Sequence, residues 1–129
     1  MTNRNIVRLQ ILSDSRTPEA ISETLGIQGG SSWHAGDAVG VTLIRQRSHG
    51  WELRSGLPES ASVQEQLGCL LERVGGVNDR VEMLSKDARI VVSCVVYCNE
   101  QPNPYLGSKL VHGISALGAD LDFDIYWID

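Results

Sequence analysis

Several things are scarce in this chain, and each scarcity removes a class of protein. No apolar run approaches the ~18–20 residues needed to span a bilayer; the longest are short pieces such as Val95-Val96-Tyr97-Cys98. Basic residues are outnumbered, 11 Lys and Arg against 16 Asp and Glu, for a net charge of −5. Neutralising phosphates takes clustered cations, and the only local group is Arg45, Arg47 and Arg54, so the balance disfavours nucleic acid. Cysteines number 3, an odd count without the CxxC spacing of a zinc site. Cys94 and Cys98, four apart in a strand, stand about 13 Å from each other, too far for a disulfide. Cys69 sits among Leu67, Leu70 and Leu71 as a small core side chain. All three are expected to be reduced thiols. Gly29-Gly30 and Gly75-Gly76 match neither phosphate-binding glycine pattern, so no nucleotide and no other cofactor is expected. Met1-Thr2-Asn3-Arg4-Asn5 carries no apolar signal segment, which points to the cytoplasm and away from a membrane.

What is present is a dense alternation of strand and helix patterns in 129 residues, a length that suits one domain, 1–129. Ile6–Leu12 alternates Val7, Leu9 and Ile11 with Arg8 and Gln10, a half-buried strand. Thr17-Pro18-Glu19 supplies an N-cap, a proline at the first helical position and an acid in the first turn, and Gly26 ends that helix. Gln28–Val39 reads as a long glycine-rich loop holding Trp33, His34 and Asp37. Val41–Arg47 and Trp51–Ser55 read as a hairpin turning through Ser48-His49-Gly50, with Gly50 at positive φ.

Ser62-Val63-Gln64-Glu65 forms a capping box ahead of Val63, Leu67, Leu70, Leu71 and Val74 on one helix face. A shorter helix follows over Val77–Leu84, with Val81 and Leu84 inward. Arg89–Asn99 is apolar on both faces, a central strand covered on both sides. After a Glu100–Pro104 loop, Ser108 caps a helix presenting Leu110, Val111, Ile114 and Leu117. The last strand alternates Leu121, Phe123, Ile125 and Trp127 with Asp120, Asp122, Asp124 and Tyr126.

The order β-α-β-β-α-β-α-β predicts an α+β single domain. Its core is ferredoxin-like, β-α-β-β-α-β, extended by a further α-β pair, with a mostly antiparallel sheet and helices on one face.

With the elements placed, further residues carry a resemblance: Pro18-Glu19-Ala20-Ile21 with Leu25-Gly26-Ile27, Gly36-Asp37, Trp51-Glu52-Leu53-Arg54-Ser55, Leu67–Leu71, and Leu117-Gly118-Ala119-Asp120 running on to Tyr126. In that order and spacing, from Val7 to Tyr126, the chain resembles the bacterial and archaeal family called domain of unknown function forty-two seventy-nine. The resemblance implies a stand-alone α+β domain and no activity, cofactor or catalytic residue.

Three groups of residues are candidates for function. Asp120, Asp122 and Asp124 share a strand face; clustered carboxylates suit hard cations, and charges on an edge strand also discourage pairing with other chains. His34 and Asp37, three apart, have the residue types of a general-base pair, without a serine or cysteine in a nucleophile elbow. Arg45, Arg47 and Arg54, near His49 and Trp51, form a basic hairpin suited to an acidic partner. Its complementarity to the acidic last strand supports self-association or partner docking. His112 faces solvent from the last helix.

No nucleophile, base and orienter converge in the pattern, so no catalytic residue is assigned and the chain reads as a non-enzymatic module. It would bind an unidentified protein, in a regulatory or immunity-type role, through Trp33, His34, Asp37, Arg45, Arg47, Trp51 and Arg54. The alternative is a metal-binding protein or metal-assisted hydrolase using Asp122 and Asp124 with His34 or Asp37. A third expectation is assembly into a homodimer through an edge strand, with Trp127 as its apolar contact.

Overall fold

The computed structural model describes residues 3–102 and 105–128. Its elements are β1 (Arg4–Ser13), α1 (Pro18–Leu25), β2 (Ser31–Trp33), β3 (His49–Arg54), α2 (Val63–Arg73), α3 (Asn78–Leu84), β4 (Arg89–Cys98), α4 (Ser108–Ala116) and β5 (Asp120–Trp127). A single 3-10 turn, Gly75–Val77, joins α2 to α3. The sheet runs β2-β3-β1-β4-β5. Every pairing is antiparallel except β4 with β5. The first four strands have the split βαβ, ferredoxin-like arrangement, with β1 inserted between β3 and β4. The α4–β5 pair extends it by one parallel strand. The α+β expectation therefore holds. Asn103 and Pro104 of the expected Glu100–Pro104 loop lie outside the described residues, as do Met1, Thr2 and Asp129.

Parity along the strands decides which side carries the core. Val7, Leu9 and Ile11 of β1 align with Cys94, Val92 and Ile90 of β4, and Leu9 and Ile11 with Leu53 and Trp51 of β3. All are buried. The helices close this face with Ile21 and Leu25 (α1), Leu67 and Leu70 (α2), Val81 and Leu84 (α3) and Ile114 (α4).

Among the described residues no helix lies over the opposite face, yet β4 is buried on both sides, as expected of a central strand. On that face Val91, Ser93 and Val95 are buried, beneath long polar side chains from neighbouring strands. Gln10 Nε2 donates to Glu52 Oε1 at 2.7 Å, and Arg8 Nη1 stands 3.6 Å from the same oxygen. The Arg4 guanidinium lies 5.0 Å over the Tyr97 ring, which stacks on Tyr126 at 5.3 Å.

One buried polar residue follows from the uneven strand lengths. β3 pairs with β1 only from Arg8 onward, which leaves the start of β1 without a strand partner on that side, although the Asn5 amide donates to the Glu59 carbonyl at 2.8 Å. Buried backbone groups must find one. Gln66 of α2 supplies it: Nε2 donates to the Asn5 carbonyl at 2.7 Å and to the Ala61 carbonyl at 3.0 Å, while Oε1 accepts from the Val7 amide at 3.3 Å.

The helix caps read from sequence are present at α1 and α2. Thr17 accepts from the Ala20 amide, and Gly26 takes φ +69. The Ser62–Glu65 capping box closes both ways. At α4 the expectation fails. Gly107 is the N-cap, no side chain caps the helix, and Ser108 lies one residue inside it. Val111 also stands half exposed where burial was expected. Ser62→Ala should therefore destabilise the protein by about 1 kcal/mol, whereas Ser108→Ala should stay within about 0.5 kcal/mol; paired urea denaturation curves measure both.

Candidate recognition finger

The second hairpin departs from its expected form. β3 does not pair with Val41–Arg47; it pairs with Ser31–Trp33, three residues of the supposed loop, in the register Ser31↔Glu52, Ser32↔Trp51 and Trp33↔Gly50. Gly50 is not among the glycines at positive φ and lies inside the strand. Its missing side chain serves packing instead. A Cβ on Gly50 would fall 2.1 Å from the Trp33 ring, so the indole lies directly on the Gly50 backbone. That contact selects Trp33 as the cross-strand neighbour and leaves residues 34–48 to project from the sheet.

Residues 34–48 form an ordered finger. The Gly36 amide donates to the Gln46 carbonyl, the Gln46 amide to the Asp37 carbonyl, both at 2.8 Å, and the Val39 amide to the Ile44 carbonyl at 2.9 Å. An isolated antiparallel bridge joins Ala38 and Arg45. Gly36 and Gly40, at φ +91 and +60, make the reversals that side chains resist. At the tip, Thr42 Oγ1 donates to the Val39 carbonyl at 2.6 Å and accepts from the Ile44 amide at 3.2 Å.

The finger root is tied to α1 and β3. The His34 amide donates to Asp37 Oδ2 at 2.7 Å. His34 Nε2 lies 2.7 and 2.9 Å from the two oxygens of Glu19, while Nδ1 is 3.8 Å from Asp37. His49 Nδ1 accepts from the Ala35 amide at 3.1 Å, which requires that nitrogen to be unprotonated. The two imidazoles meet edge to face at 5.8 Å. The Glu19 carboxyl is held below its ordinary value of 4.5, first by a backbone hydrogen bond at the start of α1 and then by His34 and His49.

The tip is apolar and open. Val41 is 105%, Leu43 96% and Ile44 64% exposed. Isolated surface aliphatics are ordinary, but three within four residues on a built projection form a contiguous patch. Arg45 and Arg47 follow them and are exposed. Among the described residues neither arginine belongs to an ion pair.

The structure brings Trp33, His34, Asp37, Arg45 and Arg47 to the finger and its root. It separates the other two expected members. Trp51 is a core side chain 1% exposed, its Nε1 donating to Ser22 Oγ at 2.9 Å, because position 51 falls on the helix-facing parity of β3. Arg54 is at the far end of that strand, about 16 Å from the root, with its carbonyl accepting from Arg73 Nη1. The basic cluster thus reduces to Arg45 and Arg47. The tip aliphatics were missed because Val41–Arg47 resembles a half-buried strand. Gly36 and Gly40, both ahead of the tip, are the available signal for a projection.

Asp122 and Asp124 lie on β5, at the sheet edge opposite the finger, in register with Ser93 and Val95. The site that would join them to His34 or Asp37 is therefore not assembled. Among the described residues no three His, Cys, Asp or Glu side chains gather in a metal-holding group. A shallow groove beside the end of β1 is lined by Ser13, Asp14, Lys86, Asp87, Arg89 and Asp120. Its Asp87 pairs with Arg16 at 3.1 Å and its Asp120 with Arg89 at 3.8 Å. The thiols are free. Cys94 is pushed up to about 12 by burial and further by the Asp122 charge, which keeps it protonated. Among the described residues no helix is long and apolar enough to cross a membrane.

The model of the family described as Domain of unknown function (DUF4279) matches residues 2–127. The chain belongs to that family. No curated protein and no solved structure matches it. DUF4279 membership specifies no reaction, and the functional reading of this member rests on the geometry above.

Gly50→Ala should displace Trp33, lower stability by on the order of 2 kcal/mol in urea unfolding and shift tryptophan emission to the red. For Glu19, whose depressed pKa adds stability above the ordinary value and loses it as pH falls through the lowered one, a carboxyl NMR titration provides the test. In His34→Ala the Glu19 pKa should rise yet stay below 4.5, because the leading cause is the backbone hydrogen bond.

Proposed function

We propose that this DUF4279 protein is a binding module that recognises another protein through the finger, in a regulatory or neutralising role. The observation that carries the reading is the exposed Val41-Thr42-Leu43-Ile44 tip, held on a hydrogen-bonded support and followed by Arg45 and Arg47. Burying one aliphatic side chain is worth about 1.5–3 kcal/mol. Three at one tip supply the central apolar contact of a small interface, and the two arginines supply its charged rim. A tip already ordered by its own backbone bonds loses less entropy on docking than a flexible loop would.

A photo-crosslinking residue at Thr42, used in cells, should capture a discrete partner protein. The Val41→Ser/Leu43→Ser/Ile44→Ser variant carrying the same crosslinker should lose the capture while its melting temperature stays within about 2 °C, since none of the three side chains is buried. Capture undiminished by those substitutions would overturn the reading.

A further inference from the structure

The sheet has a second unpartnered feature at its other end. Among the described residues β5 pairs only with β4, in parallel, so its outer edge presents free backbone donors and acceptors. One side of this edge is apolar and underfilled: Leu121 and Ile125 are 40% exposed and Trp127 64%. A shallow depression beside Leu121, lined also by Val111, Ile114 and Ala119, runs between β5 and α4. The other side carries Asp122 and Asp124, neither of which belongs to an ion pair among the described residues.

Pairing this edge with the same edge of another copy would set aspartates opposite aspartates, because an antiparallel β5–β5 ladder centred near Phe123 aligns Asp122 with Asp124. Like charges directly opposed are destabilising. The finger has the complementary pattern. Arg45 and Arg47 are two residues apart, as Asp122 and Asp124 are, about 6.6–7 Å in extended chain. The intervening limb is strand-like at its bridge to Ala38, and aliphatic Ile44 has the opposite parity to Arg45.

We infer that the finger of one copy of this chain docks on the β5 edge of a second copy. Arg45 and Arg47 meet Asp122 and Asp124, while Ile44 and the tip cover Leu121, Ile125 and the depression beside α4. This rests on the finger being a protein-binding element and names the partner as the chain itself. Finger and edge occupy opposite ends of a five-stranded sheet, so the contact is heterologous and a docked pair leaves one finger and one edge free for further copies, in a ring or a filament. A finger tip on a strand edge makes a small contact, of the weak and transient class.

Sedimentation velocity across protein concentration tests this with charge reversals at exposed positions. Wild type should associate progressively. Arg45→Glu/Arg47→Glu and Asp122→Lys/Asp124→Lys should each weaken association about tenfold or more. An equimolar mixture of the two, and one chain carrying all four substitutions, should regain wild-type association within about threefold. Wild type that stays monomeric to about 1 mM overturns self-docking. So does association unaffected by Arg45→Glu/Arg47→Glu, which would indicate pairing of identical edges. A monomeric wild type whose Thr42 crosslinker still captures a different protein in a tip-dependent manner removes self-docking alone. Loss of both results removes the protein-binding reading as well.

Discussion

The contact between the Trp33 indole and the bare backbone of Gly50 governs the rest of this structure. Any side chain at Gly50 would occupy the space of the ring, so the pair fixes Trp33↔Gly50 and with it the whole β2–β3 register. Strand pairing has a period of two, and a slip of one residue would exchange the faces of every side chain. Here the consequence is larger than a face exchange. Because β2 is complete by Trp33, residues 34–48 fall outside the β2–β3 ladder. Residues 34–48 instead bond to themselves, and their aliphatics finish in solvent.

Polarity is arranged around that constraint. The central strands carry a continuous apolar core on the helix side and a polar lattice on the other, where Glu52 accepts from Gln10 and stands near Arg8. Arg45 and Arg47 on the finger, and Asp122 and Asp124 on β5, stand at opposite margins of the sheet without an ion-pair partner among the described residues. A net charge of −5 conceals this separation, since bulk composition says nothing about how charge is divided between the ends of a sheet.

Much of the architecture is legible in the residues because local and global preferences coincide. Thr17, Pro18 and Gly26 bound α1, the Ser62–Glu65 box starts α2, and period-two alternation marks β1 and β5. Misreadings arise where a tertiary contact overrides a local pattern. Val41–Arg47 alternates like a strand, yet no surface is available for it to cover. Gly50 looks like a turn residue, yet the Trp33 ring is its reason for being glycine. Trp51 beside arginines suggests a surface aromatic, but parity turns it into the core. Ser108 is a good capping residue placed one position too far along. Of the candidate site, His34, Asp37, Arg45 and Arg47 are recognisable by residue type. Their joint placement depends on a hairpin register that no short-range signal specifies.

The order in which β1 acquires its neighbours bears on biosynthesis. β1 (Arg4–Ser13) precedes both of its neighbours in the chain and lies between β3 and β4, the latter ending at Cys98. Its second edge therefore stays open until β4 has been made. Pairings this distant in sequence slow folding and prolong the exposure of unsatisfied strand edges. A nascent chain that still lacks β4 therefore exposes one edge of β1, with its backbone donors and acceptors unpaired there.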